Sequence, residues 1–226
     1  MSAIDAARNG TEGVDYERLS GEIAVPTKDF SGVVKVTGDV LHAYPGAVGI
    51  NIDPGTIFVM TAKQSDNDSW EGIVDNPNRI GLFLWKNLYM QGTEQRPIIW
   101  TSDAQAPAAN DWETLWTGTE AGIVQVQNQY NLFEYALQAF AVRLPNTEIK
   151  NNIVRYTEIN PGTPNSLGFF ISGNNTSLSS NEVHNGTNLI ALVTNGSVKG
   201  NTVYNISSWH LSSVASRGIL PGGDFN

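Results

Sequence analysis

The sequence predicts an all-β protein built as a solenoid of parallel strands, with coils of about 20–22 residues and loop insertions. Two observations carry this. Near the C-terminus three segments stack line on line: NTEIKNNIVRY at 146–156, NTSLSSNEVHN at 175–185 and NGSVKGNTVYN at 195–205. The units also consist of short β-branched runs with Gly, Asn and Ser corners and no 3.6-residue apolar stripe, a length and texture that fit strands rather than a helical repeat.

Ile149, Leu178, Val198 and Ile219 recur at intervals of 29, 20 and 21 residues. Each of the first three is followed three residues later by an asparagine, Asn152, Asn181 or Asn201, and two residues after that by Val154, Val183 or Val203. Alternate strand side chains point to one face, so this register predicts two inward stacks. One comprises Ile149, Leu178, Val198 and Ile219, the other Val142, Ile171, Val193 and Val214. The three asparagines are expected to form a structural ladder, because a corner amide can satisfy polar groups of the adjacent corner that the turn would otherwise bury unpaired. The same alternation sends Phe170 and Leu192 outward and makes them candidates for a contact surface under a loop or another subunit. The long interval holds TEINPGTPNS at 157–166, whose Pro161 and Pro164 cannot donate to a ladder and so predict a protruding loop.

Residues 1–20 form an N-terminal segment or cap, carrying only a weak pattern of Ile4, Ala7, Val14 and Leu19. The β texture begins at Gly21 and defines one domain over 21–226. Val33, Val34 and Val36, then Val40 and Leu41, then Val48, Ile50 and Ile52, are separated by Gly and Pro corners.

Three phrases in this half are similar to successive coils of bacterial surface proteins of the pectin-lyase-like superfamily: FSGVVKVTGDVLHAYPGAVGINIDPGTIFV, LYMQGTEQRPIIWTSD and NDWETLWTG. With the C-terminal repeats the resemblance covers about residues 30–222. It implies a single-stranded right-handed parallel β-helix and an extracellular or cell-surface setting. It implies no single activity, since that fold carries lyases, hydrolases, adhesins and viral spikes. The chain departs from the pattern at Asp111-Trp112, followed by Glu113-Thr114 where the family has glycine.

Composition narrows the partners. With 13 Lys+Arg against 22 Asp+Glu the formal charge is −9, which argues against nucleic acid as a partner, since its phosphates are bound by concentrated positive charge. No apolar run approaches the roughly 20 residues of a transmembrane span, and MSAIDAARNG has no signal-peptide pattern, so any export signal lies outside this numbering. Cysteine is absent. Asn-x-Ser/Thr sequons at Asn9, Asn67, Asn174, Asn175, Asn185, Asn195 and Asn205 permit glycosylation, although corners enrich the same residues.

No cofactor is expected. The candidate cation site is SDNDSWEGIVD at 65–75, where Asp66, Asp68, Glu71 and Asp75 offer the oxygen ligands that Ca²⁺ takes. No catalytic set stands out: there is no Asp-Asp pair and no Gly-His-Gly, and His42, His184 and His210 fall in different repeats. Arg143, Arg155 and Arg217 align with no aspartate. Trp85 and Trp100 lie in apolar runs and read as core, whereas Trp112, Trp116 and Trp209 flank polar segments and are candidate contact residues for a sugar ring or a protein.

The expected function is therefore that of a non-enzymatic extracellular or surface subunit, structural, adhesive or self-assembling into filaments end to end or laterally, with carbohydrate as a candidate partner. The alternative is a polysaccharide lyase or glycoside hydrolase acting in an outer-face groove between the 104–121 and 157–166 loops, which requires at least two outward acids within about 10 Å of one another.

Overall fold

The computed structural model describes residues 1–43, 46–62, 79–117, 126–143, 145–157, 169–186, 189–194, 196–206 and 219–222; of these, the side chains of 143, 169–174, 189–194, 206 and 219–222 are excepted. One short helix, α1 (Ala3–Asn9), precedes the strands β1 (Glu17–Glu22), β2 (Thr27–Phe30), β3 (Val33–His42), β4 (Gly49–Ile52) and β5 (Ile57–Met60). Next come β6 (Gly81–Leu84), β7 (Asn87–Gln91), β8 (Ile98–Ser102), β9 (Trp112–Thr117), β10 (Val126–Gln129), β11 (Asn131–Glu134) and β12 (Ala136–Arg143). The remainder are β13 (Glu148–Lys150), β14 (Ile153–Arg155), β15 (Phe169–Asn174), β16 (Ser177–Ser179) and β17 (Glu182–Gly186). Last are β18 (Leu189–Thr194), β19 (Ser197–Lys199), β20 (Thr202–Ile206) and β21 (Ile219–Gly222).

The strands make two parallel sheets. A 14-stranded sheet runs β20-β17-β14-β11-β8-β5-β3-β6-β9-β12-β15-β18-β21, with β1 on the other edge of β3, and a seven-stranded sheet runs β19-β16-β13-β10-β7-β4-β2. Strand β3 is the pivot of the large sheet: Val33–Val36 pair with β5, whereas Val40–His42 pair with β6. Two wings thus leave one strand, and the sheet curls into a half-barrel that closes over apolar side chains.

The core follows from strand alternation. Phe58 stacks on Trp100 with centroids 4.0 Å apart, and Trp100 on Phe133 at 5.8 Å. Phe133 in turn meets Phe140 from the other wing at 5.8 Å. Stacked aromatic packing of this kind adds to the burial energy of the rings. From the seven-stranded sheet Ile50, Leu88, Val126, Ile149 and Leu178 close the interior, each essentially fully buried. Helix α1 starts at Ser2, whose Oγ accepts the Asp5 N–H at 3.1 Å, and it lies against β3 and β5. Arg8 fastens it by donating Nε–H to the Asp103 carbonyl at 2.5 Å.

The expected fold class is corrected. The architecture is a parallel-strand α/β-type fold, with one helix among the described residues, made of a curled half-barrel sheet and a second parallel sheet, and not an all-β single-stranded right-handed parallel β-helix solenoid. The uniform coil of 20–22 residues fails for a concrete reason. Partnered residues lie 20 apart at Glu182 and Thr202, but 33 apart at Ile99 and Leu132 and 42 apart at Ile57 and Ile99. Two of the proposed stacks are also corrected. Ile149, Leu178 and Val198 are in register, but Ile219 pairs with Leu189. Val142 pairs with Ile171, and Ile171 then pairs with Ala191, so Val193 sits opposite Gly173 instead. Val214 and the 158–166 portion of the insertion lie outside the described residues.

Candidate functional site

Along one wing, β8, β11, β14, β17 and β20 place a row of polar residues on the face opposite the core. Phe133, Val154 and Val183 are buried, so the alternate positions Glu134, Arg155 and His184 turn outward, followed by Tyr204. Thr101 heads the row, its hydroxyl reaching Glu134 Oε2 at 3.1 Å. Arg155 donates Nε–H to Glu134 Oε1 at 2.7 Å, and its Nη2 meets the same oxygen. Both carboxylate oxygens of Glu134 are therefore engaged, and the residue is only 9% exposed.

His184 stacks on Tyr204 with centroids 4.9 Å apart and rings 2° from parallel. Its Nε2 lies 3.6 Å from Glu182 Oε1, the oxygen that also accepts the Tyr204 hydroxyl at 2.6 Å. That hydrogen bond to Glu182 raises the Tyr204 phenol above its ordinary value, because losing the proton would break the bond and set two negative charges side by side. Beside the row, Tyr135 stacks on Tyr156 at 5.3 Å, and the Arg155 guanidinium lies over Tyr156 at 5.3 Å. Burial, then the nearby Glu134 charge, pushes the Tyr135 phenol up.

A second outward row runs next to the first: Leu132, Ile153 and Glu182 are paired strand to strand. With the corner residue Tyr130 and the β7–β8 loop residues Glu94 and Pro97 they line a groove of about 330 Å³. The groove wall is regular because Tyr130, Asn151 and Ser180 all hold left-handed φ of 51°, 56° and 55°. That conformation is uncommon for residues other than glycine, and here each backbone N–H bonds the next strand's end, as in Asn151 to the Ser179 carbonyl at 3.1 Å.

Beneath these corners runs the asparagine ladder. Asn131, Asn152 and Asn181 each donate a backbone N–H to Oδ1 of the next asparagine, at 2.8, 3.0 and 3.0 Å, ending at Asn201. The side-chain amides of Asn152, Asn181 and Asn201 donate to the carbonyls of Asn128, Ile149 and Leu178. Asn131 was missed at the sequence level. An Asn-x-apolar signal continues there as Asn131-Leu132-Phe133, but with an aromatic in place of valine and with Asn128 rather than an aliphatic three residues before it.

The other sequence-level candidates are dispersed. Trp112 is fully buried and donates its indole N–H to the Glu134 carbonyl at 2.7 Å, so it belongs to the core and not to a contact surface. Trp116 is part-buried in the other wing, in register with Phe83 and Ala141. Phe170 and Leu192 are placed by backbone register alone, opposite Ile190 and Ser172, and their side chains lie outside the described set. Trp209 and the cation candidates Asp66, Asp68, Glu71 and Asp75 lie outside the described residues too. Among the described residues no three His, Cys, Asp or Glu side chains converge as metal ligands. None of the described helices is long and apolar enough to cross a membrane.

Comparison with protein-family models, with curated proteins and with solved structures gives no match for this chain. The likeness to the pectin-lyase-like superfamily therefore has only the quoted sequence phrases behind it.

Proposed function

We propose that the chain is a non-enzymatic extracellular or surface subunit, structural and adhesive, that holds a carbohydrate on the outer face of its curled sheet. The observation that supports this is the state of Glu134. Arg155 and Thr101 engage both of its oxygens in a largely buried position, so this carboxylate is committed to its own neighbours. General acid–base chemistry needs a group within hydrogen-bond reach of the reacting bond. Glu134 reaches its own neighbours instead.

The rival reading, a polysaccharide lyase or glycoside hydrolase, draws on one specific relationship. Glu134 and Glu182 share the outer face on strands two apart, with Glu182 two residues before the position level with Glu134. Their backbones thus lie about 12 Å apart, and side-chain reach would have to close the distance to the roughly 6.5–9.5 Å of inverting carboxylate pairs. A panel of neutral, amino and acidic polysaccharides separates the two. Retention of the protein on at least one polysaccharide with no new reducing ends or unsaturated products supports the adhesive reading; release of either product rejects it.

A further inference from the structure

The groove beside the ladder has a chemistry that selects among sugars. Its floor is apolar, with Leu132 and Ile153 side by side on adjacent strands and Ile153 37% exposed, and Tyr130 and Pro97 add to it. Its polar rim carries the carboxylates of Glu94 and Glu182, and no lysine or arginine lines it. Among the described residues Glu94 makes no ion pair or hydrogen bond, and Glu182 makes no hydrogen bond through Oε2 while Oε1 holds Tyr204 and lies near His184. A ligand that fits must therefore combine an apolar face with donors or positive charge at its edge.

Two further features restrict the class. Strands β11, β14 and β17 are each paired on both sides, so the floor offers no free edge to a peptide backbone. The volume is at the small end of the range of about 300–1,000 Å³ for ligand pockets, and the floor from Leu132 to Glu182 spans two strand spacings, about 10 Å, which suits two sugar rings. We propose that this groove binds an oligosaccharide of amino sugars, the ring faces lying on Tyr130, Leu132 and Ile153 and the ammonium groups meeting Glu94 and Glu182. An acidic glycan is disfavoured by those carboxylates and by the net charge of −9.

This deepens the adhesive reading and rests on it. The test is calorimetric titration of the full chain with a β-linked glucosamine trimer, a glucose trimer, a galacturonate trimer and spermine. The glucosamine trimer should bind at least about tenfold tighter than the other three, and the Glu94→Gln/Glu182→Gln double variant should lose about tenfold, the scale of a charge-assisted hydrogen bond. Ile153→Ser, at an exposed position that leaves the melting transition in place, should also weaken it. Equal affinity for spermine reduces the groove to a charge effect and overturns the proposal. Unchanged affinity in the double variant, with polysaccharide retention intact, overturns the groove and leaves the adhesive reading standing. Cleavage of the bound trimer keeps the groove and overturns the adhesive reading.

Discussion

Asn152 gives both its backbone N–H and its side-chain N–H to a single atom, Oδ1 of Asn181, at 3.0 and 2.9 Å. The same double donation joins Asn131 to Asn152 and Asn181 to Asn201. Each amide oxygen thus satisfies two donors, at fully buried corners for Asn152 and Asn181 and a part-buried one for Asn201, and this ties the seven-stranded sheet to the wing that carries the outward rows.

Replacing Asn152 by alanine removes the acceptor for two Asn131 donors and the donor to the Asn128 carbonyl, all buried. A stranded buried polar group costs about 1–3 kcal/mol, and partial relaxation keeps the total near ~2–4 kcal/mol. Urea unfolding monitored by circular dichroism checks this, and Asn201→Ala, at the more open end, should cost less.

Trp100 is fully buried, with Phe58 on one face and Phe133 on the other. Trp100→Ala should destabilise by about 3–5 kcal/mol, with Trp100→Phe retaining much of the stack. The difference between the two variants in unfolding midpoint at unchanged slope is the readout.

Arg155→Gln should leave the Glu134 carboxylate short of its strongest partner in a largely buried position, costing about 1–3 kcal/mol. Adding Glu134→Gln should recover part of this, because the uncompensated charge disappears. A double-mutant cycle gives the coupling directly, and additive losses would mean the pair contributes nothing as a pair.

Two phenols, Tyr135 and Tyr204, should titrate above the ordinary tyrosine value of 10.0 in an ultraviolet absorbance titration. Their folded pKa values are raised, so their contribution to stability is present below about pH 10 and is lost as the pH climbs through the folded values. Glu182→Gln should bring Tyr204 down and leave Tyr135 where it is.

The sequence made the C-terminal register of Ile149, Leu178 and Val198 legible, because corner asparagines mark the phase three residues after each anchor. Where no corner intervenes, nothing in the residues marks the phase. Val193 lies two residues beyond Ala191, the true partner of Ile171, and an even slip keeps the inward parity, so alternation could not expose the error. The half-barrel was hidden because the pairing of β3 with both β5 and β6 leaves no repeat in its residues.

The candidate site was less legible still. Arg155 aligns with no aspartate in the adjacent repeats, and its partner Glu134 lies in a segment where Asn128 occupies the anchor position and conceals the repeat. The groove combines Glu94 and Pro97 with Leu132, Ile153 and Glu182, residues 85 or more positions apart at its extremes, and only strand pairing brings them to one wall. Trp112 looked like a surface residue because polar neighbours flank it, but its indole N–H has a buried carbonyl to bond.

The central claim, that the outer face holds a glycan without cutting it, is tested most directly by the chain-length distribution of a retained polysaccharide after prolonged incubation with the wild-type chain and with Glu134→Gln. The account predicts retention by the wild type and an unshortened polymer in both samples. Progressive shortening with the wild type that is abolished by Glu134→Gln would contradict it and would make Glu134 a catalytic residue.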